Sequence, residues 1–232
     1  LMMAVWRRGK PLALLHHSGI PQLIEFHNEC ERPEIHMQFM PGRSLFGIFQ
    51  EKRKLRETLP ASDALDIMRR LCEIAAHVHE ARLANGEPAQ ALHRDICPMN
   101  IIIGLQNRVS LIDFGSAASR LLENEPQDAL FGRFSYLAPE QTRGEKASVA
   151  SEIFSLGIIA YELFCGVHPF RAYGAEATLC NIESASCLPP GCACPGLSPA
   201  VESLISRMLH IEAQERPPGV RVVLDELNSL KI

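Results

Sequence analysis

Two short stretches decide how this chain is interpreted: HRDICPMN at residues 93–100 and DFG at residues 113–115. Between them lie a β-branched run at residues 101–103, a polar turn at residues 106–108 and a second apolar run at residues 109–112. This alternation of short apolar runs around a polar turn predicts a β-hairpin. Because a hairpin brings its two ends together, we expect the polar residues that flank it to converge.

Asp95, Asn100 and Asp113 are the residues that the predicted hairpin would bring to one edge. Carboxylate and amide oxygens at close quarters suit Mg²⁺, which proteins bind through one or two carboxylates together with substrate phosphates. A further carboxylate can orient a hydroxyl group for in-line attack on a phosphoryl group. The residues therefore indicate a site for Mg²⁺ and a phosphorylated substrate.

The composition is that of an ordinary globular domain. The chain has 232 residues, of which 47% are hydrophobic and 22% are charged, and this excludes a disordered or fibrous protein. A net charge of −4 argues against a nucleic acid or an anionic membrane surface as partner. The longest apolar run, residues 154–167, is interrupted by Ser155 and Glu162 and falls short of the roughly 18 residues of a membrane span. Eight cysteines are too few for a disulfide scaffold, so we expect a cytoplasmic protein.

The rest of the chain is predicted to be mostly helical behind a small β portion. Residues 24–40 are typical of two short strands around a polar turn. Helices are predicted to begin at the N-cap residues Ser62 and Ser198. Residues 151–165 leave almost no polar face and predict a helix that is buried all round. A final amphipathic helix is predicted over residues 220–230.

Several motifs in this order resemble those of eukaryotic-like (Hanks-type) serine/threonine protein kinases, in particular the bacterial branch. Residues 93–100 and 113–115 resemble the catalytic loop and the metal-binding motif of that family. Residues 138–140 (APE) resemble the motif that closes its activation segment, and residues 151–157 resemble the start of its buried central helix. Arg216 stands where the family has an arginine that pairs with the glutamate of the APE motif.

The resemblance implies a role for each residue of the predicted site. Asp95 would be the catalytic base that positions the substrate hydroxyl, while Asn100 and Asp113 would hold Mg²⁺. Arg94 would bind a phosphate on the activation loop, because a guanidinium suits bidentate phosphate binding. The acceptor would be a serine or threonine hydroxyl of a protein substrate.

A further motif, MQFMPG at residues 37–42, resembles the gatekeeper and hinge that receive adenine in these kinases. The resemblance therefore implies ATP as cosubstrate and three residues that would contact its adenine: Met37, Gln38 and Met40.

The resemblance also implies an α+β, protein-kinase-like fold with a nearly complete helical C-lobe at residues 41–232. Residues 1–40 would be the remnant of a truncated β-sheet N-lobe, with the end of its helix, two strands and the hinge. Only 36 residues precede Met37, and they contain no Gly-x-Gly-x-x-Gly loop. Lys10 is the only lysine among them and lies too close to His17 to be the strand lysine that grips the phosphates. We therefore expect a kinase domain that is truncated at its N-terminus.

Three positions depart from the family pattern. Cys97 stands where these kinases have a lysine that reaches toward the γ-phosphate, and Arg133 stands where they have a threonine. The two positions touch in the family, so we hypothesise that Arg133 supplies the charge that Cys97 lacks, bridging Asp95 and the phosphate. Glu152 replaces an aspartate that hydrogen-bonds the backbone of the catalytic loop, a role that one more methylene group should allow.

Two other functions remain open at this stage. One is a non-catalytic pseudokinase that binds a partner through its helical lobe; the missing phosphate-gripping elements and Cys97 support it, and the intact HRD and DFG motifs oppose it. The other is a small-molecule phosphotransferase of the aminoglycoside-kinase type, which shares an aspartate–asparagine loop. Residues 138–140 and Arg216 oppose it, because they form the protein-substrate platform of protein kinases.

Overall fold

The computed structural model describes residues 15–27, 34–114 and 134–230. At its front, strand β1 (Leu23–His27) pairs with strand β2 (Glu34–Met37) in an antiparallel arrangement. Glu25 lies opposite His36, and His27 lies opposite Glu34. The predicted pair of strands is confirmed, while the turn between them lies outside the described residues.

A second sheet carries the hairpin on which the site was predicted. Its strand order is β3 (Arg43–Ser44), β4 (Ile101–Ile103) and β5 (Val109–Leu111), all antiparallel. A single 3₁₀ turn (Leu105–Asn107) joins β4 to β5. The hairpin prediction is confirmed, with β5 ending one residue earlier than expected.

Two helices, α1 (Leu45–Leu55) and α2 (Ala61–His79), separate β3 from the hairpin. The predicted N-cap of α2, Ser62, is wrong by two positions, because Pro60 occupies the N-cap and its carbonyl accepts the Ala64 N–H at 3.0 Å. Proline has no N–H to lose there, and its fixed φ suits a helix start. One face of α2 is buried, with Leu71 and Ile74 in the core.

The central helix of the molecule is α4 (Val149–Cys165), which follows the short helix α3 (Pro139–Thr142). Every residue from Ser151 to Cys165 is buried, as expected for a segment that leaves almost no polar face. Ser148 caps its first turn, and Gly166 ends it at φ 73°, a left-handed conformation that favours glycine.

Four further helices follow in the described part of the chain. They are α5 (Ala175–Glu183), α6 (Pro190–Ala193), α7 (Pro199–Met208) and α8 (Val220–Ser229). Helix α8 lies against α2, and α7 lies against α4. A Cβ atom on Gly157 would come within 2.9 Å of Met208, so this glycine is what lets α7 approach α4 closely.

The front of the chain is anchored on this helical body. Leu15 and Ile20 are buried in the common core, and the Leu111 N–H donates to the Gly19 carbonyl at 2.8 Å. Within the described ranges, no helix is both long and apolar enough to cross a lipid bilayer. The described chain is therefore an α+β fold with a small β portion in front of a larger helical part.

Candidate active site

The loop that precedes β4 is folded back on itself by the Asn100 side chain. The Asn100 amide nitrogen donates to the Asp95 carbonyl at 2.9 Å and to the Asp95 carboxylate Oδ2 at 2.8 Å. The Asn100 backbone N–H donates to the Cys97 carbonyl at 3.0 Å. The asparagine thereby fixes both the backbone and the carboxylate of Asp95.

The two ends of the hairpin meet, as the sequence predicted. The Ile112 N–H donates to the Asn100 carbonyl at 2.9 Å, so Asp113 follows directly beside the loop that carries Asp95. Asp113 itself has φ 67°, a left-handed conformation that aspartate tolerates better than most residues but that still stores strain.

His93 connects the loop that carries Asp95 to Ile112, the residue before the DFG motif. Its Nε2–H donates to the Ile112 carbonyl at 2.9 Å, and its Nδ1 accepts the Asp95 N–H at 3.3 Å. The ring also meets Phe114 edge-on, with 4.5 Å between ring centroids. Burial lowers the pKa of His93 despite the nearby carboxylates of Glu152 and Asp95. The imidazole is therefore neutral, with both nitrogens committed to the backbone of the site.

Glu152, near the start of α4, holds the catalytic loop to the helical core. Its Oε1 accepts the Arg94 backbone N–H at 2.6 Å, and its Oε2 lies 2.6 Å from His79 Nε2 on α2. Arg94 has φ 69°, so the glutamate stabilises a strained loop position. The expected bond from Glu152 to this loop is confirmed, and the contact with His79 was not foreseen.

A second ion pair connects the APE motif to the distal end of the chain. Arg216 donates to both carboxylate oxygens of Glu140, at 2.8 and 2.9 Å. The guanidinium also donates to the carbonyls of His210, Ile211 and Ala150. The predicted Glu140–Arg216 pair is confirmed, and each nitrogen of the guanidinium donates to an acceptor.

The segment before the APE motif is held by a network that the sequence reasoning missed. The Tyr136 hydroxyl donates to Glu162 Oε2 at 2.6 Å, and the Ser155 hydroxyl donates to the Tyr136 carbonyl at 2.7 Å. Arg53 on α1 completes the network through an ion pair with Glu162. Ser155 and Glu162 are the two polar residues that interrupt the apolar run of α4, so the interruption was the available signal.

The predicted adenine contacts lie on the connection between the two sheets. Met37 ends β2, and the Gln38 N–H donates to the Gln22 carbonyl at 2.8 Å. Met37 and Gln38 are exposed, and Met40 is half-buried. The Phe46 N–H, at the start of α1, donates to the Pro98 carbonyl at 3.0 Å, which ties the end of this connection to the catalytic loop.

The other predicted site residues, Arg94, Cys97 and Arg133, differ in their exposure to solvent and in whether the structure describes them. Arg94 is exposed and lines a shallow pocket with Asp95, Tyr136 and Gln141. Cys97 is only 1% exposed. Arg133 lies outside the described residues, so the hypothesis that it compensates for Cys97 stays a prediction.

The donor set at the hairpin edge fits a hard divalent cation. The Asn100 amide nitrogen is turned toward Asp95, so the amide oxygen is the Asn100 side-chain atom that can face a cation. Carboxylate and amide oxygens are the ligands that Mg²⁺ prefers. Asn100 and Asp113 therefore have the chemistry of a magnesium site.

Protein kinase domains are characterised by a small β portion in front of a helical body, by a catalytic loop bonded to the strand end that leads into the DFG motif, and by a buried arginine that pairs with the glutamate of the APE motif. A family model described as the protein kinase domain matches residues 4–226. The chain belongs to the protein kinase family, and its bacterial relatives place it among the eukaryotic-like kinases of bacteria.

Three relatives illustrate the similarity. The tyrosine-protein kinase MasK of Myxococcus xanthus is 28% identical over 94% of this chain and 34% of its own length. The serine/threonine-protein kinase pkn2 of Myxococcus xanthus is 28% identical over 95% of this chain and 26% of its own. The serine/threonine-protein kinase PrkC of Bacillus subtilis is 30% identical over 73% of this chain and 24% of its own. The chain thus spans about a third or less of the length of these curated relatives.

Proposed function

We propose that this chain transfers the γ-phosphate of ATP to serine or threonine hydroxyls of proteins. The observation that carries the proposal is that hydrogen bonds hold the catalytic loop at residues 93–100 against the strand end that leads into the DFG motif. Asn100 holds the Asp95 carboxylate at 2.8 Å, and the bonds of Asn100 and His93 to Ile112 connect that loop to the residue before Asp113. Positioning supplies most of what a phosphoryl-transfer enzyme must provide, so a fixed carboxylate beside an oxygen-donor set supports this chemistry.

Each residue takes one task in the proposed reaction. Asp95 orients the acceptor hydroxyl and accepts its proton. Asn100 and Asp113 hold Mg²⁺, which when bound neutralises the charge of the ATP phosphates. Arg94 binds an activation-loop phosphate, and residues 37–40 receive adenine.

The domain division follows from the same proposal. Residues 1–40 belong to the nucleotide lobe and residues 41–232 form the lobe that binds the protein substrate. The buried Glu140–Arg216 pair and the Tyr136 network support the second assignment, because they fix the segment on which a peptide would lie. They equally disfavour a small-molecule phosphotransferase.

The test is transfer of labelled γ-phosphate to a generic basic protein by the chain and by its Asp113→Ala variant. We expect labelling by the chain and a loss of at least about 100-fold in the variant, because removing the metal carboxylate removes charge stabilisation. Asp66→Ala is the matched control, since Asp66 lies on the exposed side of α2. If neither the unmodified chain nor the Asp113→Ala variant labels the substrate, the proposed kinase activity is contradicted. If both label it equally, the activity belongs to a contaminant.

Identification of the labelled residues tests the acceptor class. The relatives carry both serine/threonine-kinase and tyrosine-kinase names, so mass spectrometry of the product distinguishes the two. We expect phosphoserine and phosphothreonine. Phosphotyrosine alone would contradict the serine/threonine assignment and leave the kinase assignment intact.

A pseudokinase is the second candidate, and buried Cys97 favours it. The thiol stands in the core at 1% exposure, where the family's lysine would reach toward the γ-phosphate. Binding of ATP, measured by calorimetry with and without Mg²⁺, separates the two functions: Mg²⁺-dependent binding supports the kinase, and absent binding supports the pseudokinase. Transfer that is unchanged in Arg133→Ala would contradict the compensation hypothesis.

A further inference from the structure

In the described residues of strands β1 and β2, one face brings two glutamates and two histidines together. Glu25 lies opposite His36, and His27 lies opposite Glu34 in the antiparallel register. Side chains at i and i+2 of a strand share a face, and directly opposed residues do too. All four side chains therefore stand together, outside the candidate active site.

The distances show that these side chains converge on a common point. His27 Nε2 lies 3.1 Å from Glu25 Oε2, and His36 Nδ1 lies 4.0 Å from the same oxygen. One ligand atom from each of these three residues lies within 4.8 Å of those of the other two. The two imidazole rings stand edge to face, with 4.8 Å between their centroids.

Two imidazole nitrogens and one carboxylate oxygen form a recurring ligand set for Zn²⁺, which leaves its fourth position to water. Tetrahedral bonds of about 2.1 Å place ligand atoms about 3.4 Å apart, so only small side-chain rotations are needed. The side chains of Glu25, His27 and His36 are between 44% and 58% exposed, and they can rotate without repacking a core.

Glu34 completes the arrangement from the second strand. Its Oε2 lies 3.3 Å from His36 Nε2, while the other ring nitrogen of His36 is the one nearer Glu25. A carboxylate on the distal nitrogen of a metal-binding histidine fixes the tautomer and raises the basicity of the ligand. This is a positioning role, since Glu34 would not touch the ion.

We propose that this hairpin face is a binding site for a divalent transition-metal ion of the zinc type. Glu25, His27 and His36 are its ligands, and Glu34 positions His36. Imidazole nitrogen favours Zn²⁺, Cu²⁺ or Ni²⁺ over Mg²⁺, so the site is chemically distinct from the oxygen donors of Asn100 and Asp113. A bound ion would also neutralise the two glutamates.

The place of the site in the chain gives it a structural consequence. His36 directly precedes Met37, and Gln38 follows. An ion held by Glu25 and His27 on β1 and by His36 on β2 cross-links the two strands just before this connection. Metal binding is accordingly expected to raise the melting temperature and to slow amide hydrogen exchange in β1 and β2.

The test is metal titration of the tag-free, reduced and chelator-treated chain, without nucleotide. Calorimetry with Zn²⁺ is expected to give one such site per chain. Co²⁺ should produce d–d absorption without a thiolate charge-transfer band, which distinguishes this site from the cysteines of the chain. His27→Ala and His36→Ala should each lower the affinity more than about 100-fold, and Glu34→Gln by about 10–100-fold.

His16→Ala is the matched control, because His16 is an exposed histidine that contacts Gln22 and lies outside the hairpin face. It should bind Zn²⁺ as the unmodified chain does and retain the rise in melting temperature. Three results would each overturn the proposal: no binding of Zn²⁺, or, in a His27→Ala/His36→Ala double variant, an unchanged Zn²⁺ affinity or an unchanged Co²⁺ d–d spectrum. None of them depends on kinase activity.

Discussion

Glu140 and Glu162 are both buried glutamates that meet an arginine, yet their surroundings differ. The Arg216 side chain is 0% exposed and gives Glu140 two parallel hydrogen bonds, with backbone carbonyls on its remaining donors. Glu162, whose side chain is 1% exposed, is shared between the Tyr136 hydroxyl and Arg53, whose own side chain is 29% exposed. Arg216 is fully buried, so we call Glu140–Arg216 the closed pair; Arg53 is partly exposed on α1, so we call Glu162–Arg53 the open pair.

The difference shifts the pKa values of the two carboxyl groups in opposite directions. Burial raises the pKa of Glu140, but the hydrogen bonds and the charge of Arg216 outweigh it, so its pKa lies below the usual range. For Glu162 burial dominates over the Tyr136 hydrogen bond and the charge of Arg53, so its pKa is raised. The hydrogen bonds and charge of Arg216 thus outweigh the burial of Glu140, whereas Glu162 is more deeply buried and its partners do not offset that burial.

The largest expected effect comes from breaking the closed pair with Arg216→Met. This change leaves the Glu140 carboxylate buried without its counter-ion and frees the carbonyls that Arg216 satisfies. We expect a loss of about 3–5 kcal/mol in the free energy of unfolding, the range for removing one partner of a buried pair. Urea denaturation at neutral pH measures it.

Arg221→Met provides the control for this prediction. Arg221 pairs with Glu80 on the surface, and both side chains are about half exposed, so its loss should change stability by less than about 1 kcal/mol. A result in which the two variants are equally stable would refute the view that the Glu140–Arg216 pair is a closed structural tie.

The open pair should be less costly to break. Arg53→Met removes the charge beside Glu162 but leaves the Tyr136 hydrogen bond, and the exposed part of Arg53 is already screened by water. We expect a loss of about 2 kcal/mol at neutral pH. The loss should shrink in acid, because a protonated Glu162 no longer needs a cation. Arg43→Met, at the exposed pair with Glu51, is the control, and a loss that grows in acid would contradict the argument.

The same contrast explains what the sequence could reveal. Glu140 and Arg216 belong to motifs with fixed places in the family, so their pairing was predictable, as was the bond from Glu152 to the catalytic loop. Arg53 and Glu162 are 109 residues apart, and no spacing rule connects them. In the sequence Glu162 is recognisable only as a charge in an apolar run, and Arg53 lies in a mostly charged run (residues 51–56) of the kind usually found on a solvated helix face.

The secondary-structure elements also divide into those that the sequence predicted and those that it did not. Period and capping signals predicted the hairpin, α4, α7 and α8, because each has a continuous apolar face or a clear end. The short helices α5 and α6 were not predicted, since their Pro- and Gly-rich surroundings carry little periodicity. The cluster of Glu25, His27, His36 and Glu34 on strands β1 and β2 was also not predicted. It depends on which residues of the two strands lie opposite each other, and the sequence alone does not determine that register.

A pH series sharpens the comparison through two neutral isosteres, Glu140→Gln and Glu162→Gln. A carboxyl group whose folded pKa is lowered stabilises above its ordinary pKa, about 4.5 here, and this stability is lost as pH falls through the folded value. A carboxyl whose folded pKa is raised stabilises below about 4.5, and loses that contribution as pH rises through the folded value.

The two variants should therefore differ from the unmodified chain in opposite ways. The deficit of Glu140→Gln should be largest at neutral pH and should narrow below about pH 4.5. The stability of Glu162→Gln relative to the unmodified chain should improve as pH rises from 4 toward neutrality. Thermal unfolding followed across this range measures both, and parallel profiles would contradict the assigned pKa directions.

The smallest expected effect is that of Tyr136→Phe, which removes one hydroxyl from the open pair. Glu162 keeps Arg53, and the Tyr136 carbonyl keeps its bond from Ser155, so the segment stays attached to α4. We expect a loss of about 1 kcal/mol, measured by urea denaturation, and a larger loss when Arg53→Met is already present, because Glu162 then has neither partner. Strictly additive losses in this double-mutant cycle would show that the tyrosine and the arginine act on Glu162 independently, and would remove the reason for treating the three residues as one network.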